Sequence, residues 1–494
     1  MPSALRRVPA TALVAGFDFS TGSVKALAFD LMGKVVAECR LPTELSTDGG
    51  VSELSLIQLE GQARASLRGL KHQLGDRRRD VLAAGISATH HTAGRIDAAG
   101  NQVRRMICWN DQTLAAYHAE GLKRLGGQDR AINLTGGPWA VRYSLSHLVK
   151  DEHALPADGW DSRVIQHGSA AAGYLTGNFD TVSVSAAAST GMLDLRTATW
   201  RREMLDALAD PGHRQAVWDR LPRVLADTEP VGRIDGTGPL VFPTLDDQAA
   251  GLIGGGAVDP GHVAVILGNS AVVNSSSDRL PTGGTLDAMR LNHGPYLWMR
   301  CYTNGALFLD RVVGPRPDWP TLEAAARAVP AGCGGVGVLP FVFSEPSVGV
   351  HAPRVEWWPA EPTDPGVRVR AAFEAIAHLI ALAVQAHEAA GQSVRKVTIS
   401  GGIARSQLMG EILASVLNRP LERLESAEGP ALGAAVAALA GLETSLRCEA
   451  GDRESFAVAD AVAALVRFRP PVGPRPEWVG PYRDGLAGFA RRIG

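Results

Sequence analysis

No surplus of charge marks this chain: 49 Lys and Arg stand against 51 Asp and Glu, a formal net charge of −2. That balance gives no basis for a nucleic-acid or anionic-membrane partner. Cysteine is scarce as well. The five (Cys39, Cys108, Cys301, Cys333 and Cys448) are scattered, odd in number and free of Cys-x-x-Cys spacing. Such a pattern argues against a disulfide framework and a zinc site, and fits free thiols in a reducing compartment. No apolar run reaches membrane-spanning length. Arg6-Arg7 ahead of Ala10–Gly16 could mimic a leader, but the run is short and enters a turn bearing glycine and threonine. It therefore reads as a core strand, and the protein as cytoplasmic. No P-loop G-x-x-x-x-G-K-[S/T] occurs, which sets that phosphate cradle aside.

What is present fits a large folded protein. The 494 residues exceed one ordinary core, so two large domains are expected, and 45% hydrophobic with 20% charged residues is an ordinary globular balance. Residues 12–18 read as a buried strand, followed by the small-residue turn Phe19-Ser-Thr-Gly-Ser23, a strand at Val24–Asp30 and another at Val35–Leu41. Helical periodicity runs from Leu54 to Leu74, and Val81–Ser87 is again strand-like. Far downstream, His262–Gly268, Gly268-Asn-Ser270 and Ala271–Ser275 repeat the strand–turn–strand order, an internal echo expected of two similarly built lobes. A long helix is expected over Val367–Ala390, then a strand at Lys396–Ser400, a Gly-Gly turn, a helix over Gln407–Leu417 and a buried alanine-rich helix over Ala431–Leu442. The proline-rich stretch Arg469–Pro481 reads as a surface strap before a short final helix.

Several segments carry chemistry, each with an ordinary alternative. Asp18-Phe-Ser-Thr-Gly-Ser-Val-Lys25 ends a strand in a carboxylate and offers N–H groups and hydroxyls to phosphate oxygens. There Asp18 would face a magnesium ion through water and Lys25 would neutralise charge on a transferred phosphoryl group. A plain hairpin with a polar turn explains it equally well. Ile86-Ser-Ala-Thr-His-His-Thr92 runs a strand into paired histidines, which are commonly satisfied core or surface residues and cannot readily share one metal. Trp109-Asn110-Asp111 combines an aromatic face, an amide and a carboxylate, a suitable grip for sugar C–H and hydroxyl groups. Thr244-Leu-Asp-Asp-Gln-Ala-Ala-Gly251 sets two carboxylates at a helix start: either both serve the helix N-terminus, or one reaches a cleft as general base. Ser400-Gly-Gly-Ile-Ala-Arg-Ser406 is not the Rossmann G-x-G-x-x-G. Its glycines could let a nucleotide approach bare backbone, or simply connect strand to helix.

In this order the segments resemble the FGGY carbohydrate kinases, most closely the xylulokinase-like members, from Gly16 to about Leu442. The resemblance implies an α/β protein of two ribonuclease-H-like lobes of the actin/hexokinase type with an interlobe cleft. It places a sugar-binding lobe with the first phosphate loop at 11–248, a nucleotide-binding lobe at 249–468 and a tail at 469–494. It further implies ATP-dependent phosphorylation of a terminal hydroxyl of a small sugar, most closely a ketose such as xylulose, with ATP and Mg2+. The partners are then sugar and nucleotide, without nucleic acid or membrane, and a homodimer is common in the family.

By the same resemblance, Asp18 matches the metal-linked aspartate, and Thr21, Gly22, Ser23 and Lys25 fall in the first phosphate loop. His91 matches the histidine of Met-His-Gly, and Trp109, Asn110 and Asp111 the Trp-Asn-Asp block. Asp247 matches the catalytic base of Gly-Gly-Gly-Asp-Asn-Ala-Ala-Gly. Gly268, Asn269 and Ser270 form the second phosphate loop, and Gly401, Gly402 and Ser406 belong to the adenosine motif, partnered by Glu428 to Ala435. The chain departs from the pattern at Ser20 (glycine), Asn269 (threonine), Thr244-Leu245-Asp246 (triple glycine), His90 and Thr92 (Met and Gly), His147 (lysine) and Pro346 (arginine). Those departures leave two rivals to a sugar kinase: a weakened sugar-responsive regulatory protein on the same fold, and an ATPase-driven machine of the wider superfamily.

Overall fold

The turn after Asp18 reverses the chain between two buried strands, as its small residues predict. In the computed structural model, which describes residues 5–283, 286–314, 317–426, 428–454 and 456–494, β1 (Leu13–Phe19) and β2 (Ser23–Asp30) pair antiparallel. β3 (Val35–Pro42) continues the meander, and β4 (Val81–Ala88) returns parallel to β1. Short strands near residues 232, 240 and 245 complete a seven-stranded sheet. Between β3 and β4 runs α1 (Leu56–Leu74), started by the Ser55 hydroxyl, which accepts from the Gln58 N–H. Leu59, Ala63, Leu67 and Leu70, at helical spacing, bury its inner face. β5 (Ala93–Ile96) and β6 (Gln102–Ile107) form a hairpin of a separate sheet above the strand ends.

The echo in the sequence is a second sheet of the same design. β7 (His262–Leu267) and β8 (Ala271–Ser277) pair antiparallel. β10 (Tyr296–Tyr302) pairs antiparallel with β8, β9 (Asp287–Arg290) lies outside β10 at the edge, and β11 (Lys396–Ser400) returns parallel to β7. β12 (Leu421–Leu424) and β13 (Phe468–Val472) extend the sheet to seven strands. The fold is thus the expected pair of related α/β lobes.

Two helices knit the lobes. α2 (Asp247–Gly254) leaves the first sheet, and α5 (Gly429–Glu449) follows β12 of the second. They cross backbone to backbone: a β-carbon on Gly433 would fall inside the carbonyl of Ala250. α5 also lies flat on β1, where a side chain at Gly16 would strike the Ala431 carbonyl. Only glycine permits such approach. Val14, Leu27, Ala249, Ala250, Leu432, Ala435, Ala264 and Val272 share one buried cluster, so the core is continuous across the lobes. α5 is long and apolar enough to cross a membrane, yet 78% of its apolar stretch is buried inside the protein. α3 (Pro365–Ala389) and α4 (Gln407–Leu417) cover the second sheet.

The C-terminal stretch corrects the expected strap. Its prolines Pro470 and Pro471 sit in β13, an edge strand where a missing N–H costs no ladder bond. Pro476 then opens α6 (Pro476–Ile493), a long helix, because proline suits the first turn. Tyr482 and Phe489 bury α6 against the second lobe.

Candidate functional site

The functional side chains stand where the two sheets' strand ends meet. Register places Ser87, Asp18, Lys25 and Arg40 in one row across β4, β1, β2 and β3. Asp18 is 5% exposed and accepts from the Ser87 hydroxyl at 3.0 Å. Burial lifts its carboxyl to about 6, although Lys25 pulls the other way. Ser20, in place of the usual glycine, folds its hydroxyl back on the turn: Oγ donates to the Ser23 carbonyl at 2.8 Å and accepts from the Ser23 N–H at 3.2 Å. The side chain therefore does not block the loop, but it occupies an N–H expected to face phosphate. Beside it Gly22 faces open space, with no atom within 4 Å of where its β-carbon would be.

The neighbouring carboxylates separate cleanly. Asp246 is the N-cap of α2: one oxygen accepts from the N–H groups of Gln248 and Ala249 at 3.0 and 2.9 Å, the other from the Ser185 hydroxyl. Asp247, one residue on, turns away and accepts only long bonds, from the His90 N–H at 3.3 Å and the Gln248 amide at 3.4 Å. Burial, then the charges of Asp246 and Asp18, push its carboxyl up to about 8. Half-buried Asp247 and buried Asp18 are near enough to feel each other, and such a carboxylate pair is a donor set suited to a hard divalent ion.

His91 adopts a left-handed backbone, with φ 53°, uncommon for a residue with a β-carbon. Consecutive side chains ordinarily diverge, and this conformation lets adjacent rings stack. His90 lies 3.5 Å from His91, and His91 4.5 Å from Tyr143. His91 Nδ1 meets the Ser189 carbonyl at 3.2 Å and His90 Nδ1 lies 3.6 Å from an Asp246 carboxylate oxygen, while Nε2 of each ring and the Tyr143 hydroxyl are buried without a hydrogen-bond partner among the described residues. Burial holds both imidazoles below their ordinary pKa, so they are neutral at pH 7. Buried polar atoms normally find partners, so these can take hydrogen bonds from a ligand's hydroxyl groups.

The Trp-Asn-Asp block leaves β6 at the same end of the hairpin, since Ala93 pairs with Ile107. Trp109 is 38% exposed. Asn110 accepts from the Ser52 hydroxyl, and Asp111 is engaged by the Ser52 N–H, the Thr113 N–H and, at 3.5 Å, Lys150. Asp111 thus has its bonds within the lobe, whereas His91 leaves its Nε2 without one.

In the second lobe, Ile266 pairs with Ser400, which sets Gly268-Asn269-Ser270 beside Gly401-Gly402. Gly401 has φ 95° and presses on the Leu267 backbone, whereas Gly402 faces open space. Ser406 caps α4 through the Met409 N–H at 3.0 Å. The loop is backed by Gly305, whose N–H donates to the Asn269 carbonyl. Glu345, next to Pro346, accepts from the Thr303 N–H at 2.7 Å and from Asn304, so it braces this wall from behind.

Sequence reasoning did not single out Tyr143, Arg142 or Asp287. Arg142 lies 5.9 Å from the Tyr143 ring and pairs with Asp287 of β9, across the lobes. No periodicity or spacing signals that contact.

Comparison with known proteins follows the same division. Residues 13–238 match the sequence model of the N-terminal domain of the FGGY family of carbohydrate kinases, and residues 316–442 that of its C-terminal domain. A xylulose kinase of Streptomyces coelicolor is 28% identical over 488 residues, covering 94% of this chain and 92% of that protein. A glycerol kinase of Leifsonia xyli is 26% identical over 470 residues, covering 87% and 89%. Among solved structures, ligand-bound xylulose kinase from Lactobacillus acidophilus superposes with a TM-score of 0.84 at 17% identity, covering 97% of each chain.

Proposed function

The chain belongs to the FGGY family of carbohydrate kinases and is an ATP-dependent sugar kinase; we propose that its acceptor is a terminal hydroxyl of a small ketose, xylulose before glycerol, and that Asp247 is the general base. The observation that carries the proposal is the contrast between two adjacent carboxylates. Asp246 is consumed by helix capping, whereas Asp247 is half-buried, loosely bonded and raised to about 8. A base with a pKa near working pH combines the ionised form with basicity enough to take a hydroxyl proton. The xylulose kinase and glycerol kinase relatives support a polyhydroxy acceptor.

In this mechanism Asp247 accepts the proton of the attacking hydroxyl, whose oxygen approaches the γ-phosphorus in line. His91 Nε2 and Tyr143 hold the sugar, and Trp109, Asn110 and Asp111 build the adjoining wall. Lys25 and the N–H groups of Thr21 and Gly22 face the phosphoryl oxygens beside Ser23, whose own N–H is taken by the Ser20 hydroxyl, with Gly268, Asn269 and Ser270 opposite. Gly401, Gly402 and Ser406 bound the adenosine side. Asp18, with Asp247 close by, would hold Mg2+ through water. When bound, the ion would offset phosphate charge.

His91→Ala is expected to lower kcat/KM for the sugar about 10- to 100-fold, since a buried hydrogen bond lost is worth about 1–3 kcal/mol. KM for ATP should stay near wild type. His91→Asn, which tolerates the left-handed backbone, serves as the second variant. A larger change for ATP than for sugar would reverse the roles of the lobes. For the acceptor itself, phosphorus NMR of the product from a ketopentose should place the phosphate on a terminal carbon. Phosphorylation of glycerol in preference to every ketopentose would replace the proposed acceptor.

A further inference from the structure

Lys25 is already engaged. Its Nζ lies 3.0 Å from one oxygen of Glu428, and Nη2 of Arg40 lies 2.8 Å from the other. Arg40 also meets Glu38 at 3.2 Å. Lys25 and Arg40 are direct cross-strand neighbours on β2 and β3, and Asp18 is next in the row. Both cations therefore stand on the sheet edge that leads out of the first phosphate loop. The carboxylate between them comes from the chain that leaves β12 of the nucleotide lobe.

Glu428 has a second place to go. It is the residue that opens α5, yet its side chain caps no N–H of that helix. A carboxylate at a helix N-terminus is stabilised by the free N–H groups and the helix dipole. Here it is turned instead toward the two cations. Released from them, it can return to the helix start without becoming a stranded charge. The cations have an alternative as well, because guanidinium and ammonium groups bind phosphate oxygens as readily as carboxylate oxygens.

We infer that Arg40 joins Lys25 as a contact for the nucleotide's phosphates, and that Glu428 is the internal carboxylate that holds both cations until the phosphates replace it. The inference rests on ATP as the phosphoryl donor and not on which sugar is the acceptor. It also gives the lobes a reason to respond to nucleotide. The exchange dissolves a contact between β2–β3 of one lobe and the start of α5, which is continuous with the other.

Calorimetric titration of the full chain with a non-hydrolysable ATP analogue carrying an imido β,γ-bridge and, separately, with adenosine tests this. Glu428→Gln removes the competitor, and the analogue should bind about 3- to 10-fold tighter, the range expected for release of a partly exposed ion pair. Arg40→Met should weaken the analogue by a similar factor. Adenosine, lacking phosphates, should bind all three proteins alike, and the advantage of Glu428→Gln should shrink in high salt. Glu428→Asp, with charge kept and reach shortened, is expected between wild type and Glu428→Gln. Unchanged or weaker analogue binding by Glu428→Gln would overturn the exchange, as would equal shifts for adenosine and the analogue. A wild-type chain that binds neither ligand would overturn the kinase reading itself.

Discussion

Asp247→Asn is expected to lose at least about two orders of magnitude in kcat, because a positioned base contributes on the order of 10²–10⁴ in rate. The amide keeps the size of the side chain but cannot take a proton, so sugar and ATP should still bind. Asp246→Asn should match wild type above about pH 8, where Asp247 is ionised in both, since asparagine caps helices about as well as aspartate. The two variants also differ in pH dependence. Asp247 must be ionised to act, so kcat/KM should rise with pH up to about 8, where its carboxyl titrates. Asp246 adds to that elevation through its like charge, so Asp246→Asn should move the acid limb to lower pH.

Folding supplies the control. A carboxyl raised in the folded state stabilises the protein fully only below its unfolded value, and that contribution is lost as pH climbs toward about 8. Asp247→Asn should therefore gain in Tm relative to wild type over the same climb. Loss of turnover in a variant that is more stable at pH 8 cannot be unfolding. Equal activity of the two variants, or the reverse ranking, would show that the wrong carboxylate carries the proton.

Gly433→Val is expected to be strongly damaging to the fold. Its side chain would have to enter the backbone of α2 at Ala250 and Gly254, and peptide groups cannot step aside as a side chain can. Overpacking of this kind costs about 1–3 kcal/mol in ordinary cores, and a backbone contact belongs at the upper end. Because α2 carries Asp247 and α5 follows Glu428, activity should fall with stability. Gly433→Ala should show the same sign at smaller size. Gly61→Ala in α1, where no atom lies within 4 Å, is the contrasting control and should stabilise by up to about 1 kcal/mol. Thermal melts of the three variants check the ranking, and a Gly433→Val protein with wild-type Tm would contradict the close crossing.

These two cases mark what was legible in the sequence. Strands and helices with strong periodicity were readable because one face is buried: Lys396–Ser400 and Gln407–Leu417 occur with the expected bounds. The doubled strand–turn–strand order was readable because each lobe repeats it over a short span. That Asp246 and Asp247 point apart was readable, since neighbours at a helix start diverge, but which of them faces the cleft came only from the family resemblance. What was not readable depends on contacts far apart in the chain. The Arg142–Asp287 and Lys25–Glu428 pairs join residues that no local pattern links. Nor does composition reveal that His91 would take a left-handed backbone and stack between His90 and Tyr143. The tail misled for a local reason: its prolines resembled a strap, but an edge strand and a helix's first turn both accept proline.

The most direct test of the account is ADP release by the purified chain with ATP and Mg2+, measured with and without a panel of ketoses and polyols. ADP formation that depends on an added sugar, highest with a ketopentose such as xylulose, is the expected result. ADP released at the same rate without sugar, or sugar binding without any ADP, would contradict it.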